Sequence, residues 1–219
     1  MKSYDRAFVT GCDEGHAWML EWFLKNYRKH NDTPIIFADF GVSPSTLSLA
    51  NQLFDDVFTP QLQNSSGWFY KPQTMYKVTE FVKEVCWIDT DIHVLGDMSG
   101  IFKYIQPGKL TMVEDRPWTK RTGEKWHNSG IVAFRGQPPI LRQWMIKCLN
   151  TRERGDQEVL HTMIGHPPLL KLQHVADAPN IYNWLRVQLI DNEDNPKKLA
   201  MHWTGAKGKD QIRKIMYNE

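Results

Sequence analysis

The chain has 219 residues, 41% hydrophobic and 24% charged, the balance of a soluble globular domain with a sizeable core. Its 27 basic and 25 acidic residues leave a net charge of +2, which excludes nucleic-acid binding driven by bulk charge. No apolar run approaches a membrane span and the N-terminus lacks a signal-peptide apolar region. Cys12, Cys86 and Cys148 are widely spaced without a Cys-x-x-Cys, so they read as buried free thiols of a cytoplasmic protein.

Ala7 to Cys12 reads as a first strand, with a turn at Asp13-Glu14-Gly15. Trp18, Met19, Trp22, Phe23 and Tyr27 then recur at helical spacing to about His30. Pro34 to Ala38 is a second strand. Ser43 caps a helix with Pro44 at its first position, running to about Phe54, and Asp56 to Phe58 is a short third strand. Gln61 to Gly67 is a polar loop. Lys71-Pro72 opens a helix through Met75, Val78, Phe81 and Val82, which delivers the chain into an apolar strand, Val85 to Ile88. A turn and short helix cover Gly96 to Ile105. Leu110 to Val113 is a strand ending in Glu114-Asp115. Arg116 to His127, with Pro117, Trp118, Gly123 and Trp126, reads as an irregular, mobile loop. Asn128-Ser129-Gly130, taken alone a turn, leads into a strand from Ile131 to Phe134. Pro138 to Asn150 is an amphipathic helix with Ile140, Leu141, Trp144, Met145 and Cys148 inward. Gly155-Asp156-Gln157 starts another, containing Val159, Leu160 and Met163, with Asp156 in the position of an ordinary cap. After Pro167-Pro168 come Leu169 to Leu172, then Tyr182-Asn183-Trp184, and a short apolar segment that ends at His202. Strands alternating with helices imply an α/β fold, a mostly parallel sheet flanked by helices in a single domain.

The chemistry gathers where the apolar strand ends, at Asp89-Thr90-Asp91. Buried carboxylates are costly unless paired or metal-bound, so both belong at the strand's exit from the sheet, where open α/β sheets bind ligands. Carboxylates at i and i+2 of an extended chain point apart; a turn at Thr90 brings both round one cation. Oxygen ligands suit Mg²⁺ or Mn²⁺, which keep positions open for substrate phosphates. The nine tryptophans are mostly core, though indole faces also stack on sugars. His16, His30, His93, His161, His166 and His174 read as ordinary histidines.

Four features follow one another: Asp89-Thr90-Asp91, Asn128-Ser129-Gly130, Asp156-Gln157, and His202-Trp203-Thr204-Gly205-Ala206-Lys207. In this order and spacing, over nearly the whole chain, they resemble the GT-A glycosyltransferases of family 8, which include glycogenin and bacterial lipopolysaccharide galactosyltransferases. The resemblance implies a Rossmann-like mixed sheet and a metal-dependent transfer from a nucleotide-sugar, a UDP-hexose, to a hydroxyl of a glycan or other acceptor, with retention. It implies Mn²⁺, with Mg²⁺ as the alternative, held by Asp89, Asp91 and His202. It places Thr10, Asp13, Lys71, Thr90, Asn128, Gly205 and Lys207 at the donor, and Asp156 and Gln157 at the anomeric centre. The segment 202–219 becomes a C-terminal lid over the diphosphate. One departure is plain: the family pattern His-x-x-Gly-x-x-Lys-Pro-Trp has Gly208 here at its lysine, with Lys207 before it and Lys209 after. Lys207, nearer the histidine, is the expected contact.

Two other readings compete. Asp-x-Asp after an apolar strand also marks haloacid-dehalogenase-type phosphatases, but there it lies near the N-terminus with Thr or Val two residues beyond, where this chain has His93. A catalytically dead nucleotide-sugar-binding module is the third, opposed by the intact set of two aspartates and a histidine.

Overall fold

The structure, a computed structural model, describes residues 2–61, 67–166 and 168–218. The polar loop expected over Gln61 to Gly67 and the first proline of Pro167-Pro168 lie largely outside the described residues. The strands are β1 (Tyr4–Cys12), β2 (Ile35–Asp39), β3 (Asp56–Phe58), β4 (Val82–Ile88), β5 (Ile92–Val94), β6 (Leu110–Glu114), β7 (His127–Arg135), β8 (Val175–Ala178), β9 (Trp184–Leu185) and β10 (Ala200–His202). The helices are α1 (Leu20–Arg28), α2 (Pro44–Leu53), α3 (Tyr70–Val78), α4 (Arg116–Thr122), α5 (Pro139–Leu149), α6 (Asp156–Ile164), α7 (Pro168–His174), α8 (Arg186–Ile190) and α9 (Gly205–Asn218).

A seven-stranded sheet runs in the order β3-β2-β1-β4-β7-β6-β8. Four of its pairings are parallel, and β7 alone runs against its neighbours β4 and β6. The mixed, mostly parallel α/β architecture read from the sequence is therefore present. Side chains alternate across the pleat of β1. Ala7 and Val9 enter a core built with Met75 and Val78 of α3, Trp144 of α5 and Val159 of α6. Phe8 and Cys12 enter the opposite core, with Phe23 and Tyr27 of α1, Ala50 of α2 and Ile212 of α9. All three cysteines are buried and free. No helix among the described residues is long and apolar enough to cross a membrane.

Local chemistry explains most boundaries. Ser43 Oγ accepts from Thr46 N at 3.3 Å, with Pro44 opening α2 as the sequence predicts. The helix after Lys71 is shorter than its apolar spacing predicts. It stops at Val78, and Val82 begins β4 because it pairs with Tyr4 of β1. The expected irregular loop from Arg116 is instead largely helix. Asp115 Oδ1 accepts from Trp118 N at 3.1 Å, Pro117 lies in the first turn, and Gly123 ends α4 at φ +74°. Asn128-Ser129-Gly130 is not a free turn but part of β7. There the register with β6 shifts between Met112 and Val113, an irregularity that re-aims the strand at the site. In α5, Ile140, Leu141, Trp144 and Cys148 are buried as expected, whereas Leu169 and Leu172 of α7 are exposed.

A smaller sheet, β5-β10-β9, had no sequence expectation. It pairs His202 with Ile92, one residue past Asp91, and Trp203 N donates to Asp91 O at 3.0 Å.

Candidate active site

Asp89 lies one residue beyond β4, where the chain turns. Ile92 N donates to Asp89 O at 3.2 Å, closing a turn over Thr90 and Asp91 before β5 begins. This brings both carboxylates to one place, as the sequence reading required. The β10–β5 ladder adds the imidazole: His202 Nε2 is 3.1 Å from Asp91 Oδ1 and 3.8 Å from Asp89 Oδ2. One ligand atom from each of the three residues lies within 4.8 Å of the others.

Second contacts orient each member. Trp87 Nε1 donates to Asp89 Oδ1 at 2.6 Å. Gly130 N donates to Asn128 Oδ1, and Asn183 Nδ2 donates to the same oxygen at 2.8 Å. Asn183 Oδ1 therefore faces His202 Nδ1 at 3.0 Å and requires a proton there, which leaves Nε2 turned toward the aspartates. A histidine that donates through one nitrogen and offers the other beside two carboxylates fits an octahedral divalent cation of the Mn²⁺ or Mg²⁺ type. Burial alone would raise the Asp91 pKa; without a cation, a His202 protonated on both nitrogens and the Lys209 ammonium, 3.3 Å away, outweigh it and hold the carboxyl well below the usual range.

Gly130 lets the imidazole come close. A Cβ there would lie 2.3 Å from His202 Cε1 and 2.6 Å from Nδ1. Gly130→Ala is expected to destabilise the fold by about 1–3 kcal/mol through overpacking and to weaken Mn²⁺ binding as the ring is pushed aside. Thermal melts with and without Mn²⁺ check this; an unshifted melt would show that the strand yields instead.

Lys71 of α3 is buried among the acids. Its Nζ lies 3.0 Å from Asp89 Oδ1, 3.5 Å from Asp156 Oδ2 and 3.0 Å from the Ser129 carbonyl. Desolvation opposes its charge, but Asp156 and Asp89 prevail and raise its pKa. Asp156 is not the cap of α6, a position taken by Gly155; it is the first helical residue, buried, with Oδ2 unmatched by any hydrogen bond among the described residues. Burial raises its pKa, against the opposing pull of Lys71. Gln157 is held at both ends of its amide: Oε1 accepts from Asn128 Nδ2 at 3.0 Å and Ser129 N at 3.2 Å, and Nε2 donates to Asp115 Oδ2 at 3.0 Å.

Two cavities meet on these residues. The larger, about 380 Å³, is lined by Asn128, Asp156, Gln157, His202 and Gly205, with Asp115, Trp118, Arg121 and Arg154. The smaller, about 190 Å³, reaches back to Gly11, Asp13, Phe40 and Thr90. Trp68, Lys71, Asp89, Asp91 and Lys209 line both, so the two candidate carboxylate ligands stand at their divide, with His202 on the side of the larger. Of the expected donor residues, Thr10 is the exception in this half of the fold. It is fully buried, lines neither cavity, and leaves the wall to Gly11, where a Cβ would lie 2.7 Å from Ala38 O. Among the C-terminal lysines the structure favours the one not expected. Lys207 is exposed and lines neither cavity, whereas Lys209, one helical turn past Gly205, reaches Asp91. Sequence reasoning also missed Asn183 and Asp115. The pattern Asp115-Arg116-Pro117 carried a helix-start signal; Asn183 carried none.

The order of the large sheet, with its reversed β7 and the Asp89–Asp91 pair just past the end of β4, defines a GT-A fold, the fold of a large class of nucleotide-sugar transferases. Solved glycosyltransferases share it. The galactosyltransferase LgtC, solved with donor and acceptor sugar analogues, is 13% identical over 91% of this chain and 87% of its own, at a TM-score of 0.61. An LgtC variant with an active-site glutamine changed to glutamate is 14% identical over 97% and 95%, at 0.62. The glycosyltransferase GlyE of Streptococcus pneumoniae TIGR4 is 18% identical over 91% of this chain but 55% of its own length, at 0.66. No protein-family model matches the sequence, and no curated protein matches it.

Proposed function

We propose that the protein is a metal-dependent glycosyltransferase that moves a hexose from a UDP-sugar to a hydroxyl of a glycan or other acceptor, with retention of anomeric configuration. The observation that carries this is the convergence of Asp89, Asp91 and His202, the two aspartates on the wall shared by two cavities and the histidine in the larger, where a diphosphate would join a nucleoside on one side to a sugar on the other. Asp13, Thr90 and Lys71 then serve the nucleotide side, and Asn128, Asp156 and Gln157 the sugar. Asp89, Asp91 and His202 would hold Mn²⁺, favoured over Mg²⁺ by the imidazole, and the ion would supply charge neutralisation on the departing diphosphate.

The chain's own groups do the rest. Lys209 places an ammonium beside Asp91, where the diphosphate charge develops, and the segment from His202 closes over it as a lid. Lys71 keeps the Asp89 and Asp156 carboxylates in position. Asp156 puts a buried carboxylate in the sugar cleft, placed to stabilise positive charge at the anomeric carbon. Gln157, gripped by Asp115, Asn128 and Ser129, offers its amide in one orientation; the LgtC active site likewise contains a glutamine. The acceptor oxygen bonds to the anomeric carbon on the face from which the diphosphate oxygen leaves, and the hydroxyl proton passes to that oxygen. Three buried thiols suit a cytoplasmic enzyme.

UDP and Mn²⁺ together are expected to raise the melting temperature more than either alone, and an α-linked UDP-hexose to give an α-linked first product by proton NMR. Lys209→Ala should weaken UDP binding by about 1.5–3 kcal/mol, with Lys207→Ala unchanged. A β-linked product refutes retention. Phosphate release from p-nitrophenyl phosphate would favour the phosphatase reading, and UDP-sugar binding without turnover the dead module.

A further inference from the structure

The larger cleft has a rim that the transfer chemistry does not use. Trp68 and Trp118 stand on it 55% and 43% exposed. Trp68 Nε1 donates to Arg154 O at 3.1 Å, tying its indole to the approach to α6. The Arg121 guanidinium lies 5.9 Å from the Trp118 ring centroid. Arg121 and Arg154 both line the cleft.

The cations of the cleft differ in whether a carboxylate meets them. Lys71 is matched by Asp89 and Asp156, and Lys209 by Asp91. The other cations of α4, Arg116 and Lys120, both meet Glu193. Arg121 and Arg154 form no ion pair among the described residues. On the acidic side, Asp115 is turned to Trp118 N, Asn128 and Gln157, and Glu158 also lines the cleft; neither carboxylate forms an ion pair with Arg121 or Arg154. The rim therefore joins two guanidinium groups, neither paired with a carboxylate among the described residues, to two exposed indoles. Neither arginine, nor Trp118, lines the smaller cavity, so this charge belongs to the sugar side and not to the nucleotide side.

We infer that this rim is the acceptor subsite and that the acceptor is a sugar bearing an anionic group, a phosphate or a carboxylate; the inference rests on the transferase reading. An indole covers the C–H face of a pyranose, and a guanidinium grips two oxygens of a phosphate or carboxylate at once. Two such forks without a protein partner are a recognition element for an anion.

The test titrates p-nitrophenyl β-glucoside, its 6-phosphate and p-nitrophenyl β-glucuronide into the whole protein, with and without UDP and Mn²⁺. At least one anionic glycoside is expected to bind about ten-fold or more tighter than the neutral one. Which of the two does so separates phosphate from carboxylate. The double substitution Arg121→Gln with Arg154→Gln, both on exposed side chains, should erase that preference. Trp118→Ala should weaken neutral and anionic glycosides alike. Equal binding of all three glycosides to the parent, or a preference that survives the double substitution, overturns the inference. UDP binding on the same samples is read separately: its absence rejects the donor reading, while the glycoside comparison without nucleotide still decides what the rim recognises.

Discussion

Asp91→Asn is expected to abolish turnover while leaving the protein folded. Asp91 is held ionised by its neighbours and offers Oδ1 toward His202 Nε2 and Oδ2 toward Lys209 Nζ. The amide keeps the size and removes the charge, so a cation held here would lose one of its two carboxylates. Losing metal-borne charge stabilisation of several kcal/mol corresponds to a fall of about 10²–10³-fold or more in kcat/KM. The backbone bonds that shape the turn, Ile92 N to Asp89 O and Trp203 N to Asp91 O, do not involve the side chain and should persist. Circular dichroism and UDP-sugar turnover over a range of Mn²⁺ are the measurements. Full activity in the variant, or in excess chelator, would end the metal mechanism.

Lys71→Met should be the most destabilising single change in the site. Lys71 is 4% exposed, and its ammonium lies among Asp89, Asp156 and Ser129. Removing it leaves buried carboxylates uncompensated, at a cost of about 3–5 kcal/mol near neutral pH. The pH dependence gives the cause. Burial already raises the Asp156 pKa with Lys71 in place. A carboxyl whose folded pKa is raised binds its proton more tightly folded than unfolded. Stability is therefore greatest at low pH and lost as pH rises from the unfolded to the folded pKa. Without Lys71 that window extends upward, so the variant should regain stability relative to the parent as pH falls from 8 to about 5. Chemical denaturation across that range decides it: a pH-independent deficit would mean lost packing rather than unmatched charge.

The legible part of the site was the part written in contiguous residues. Val85 to Ile88 followed by two aspartates could hardly be placed elsewhere than at a strand's end, and buried charge required them to meet something. The helix start at Ser43-Pro44 was equally local. What was not legible depends on pairing between distant strands. Ile92 to Val94 and Ala200 to His202 are too short to show a period, and they become strands only through pairing with each other and, for the second, with β9. Asn183 acquires a role only through Asn128 and His202, so no spacing rule could have found it. Asn128-Ser129-Gly130 has turn composition, yet β4 and β6 flank it and impose extended backbone; its glycine serves the imidazole, not a turn. Nearness to His202 along the chain favoured Lys207, but α9 begins at Gly205, and a helix points residues two apart in very different directions.

The pairing of β10 with β5 makes the site a latch. His202 and Lys209 both belong to the C-terminal segment, and both close on Asp91, in the lysine's case across 118 positions of chain. A single local opening, in which β10 leaves β5 and Ile212 leaves the core, would withdraw imidazole and ammonium together. If the site holds a cation and a diphosphate as proposed, the opening equilibrium of this segment and the affinity for both would be one linked quantity. Either ligand would slow amide exchange along β10, and any contact that loosens α9, however far from the aspartates, would be felt as weaker binding.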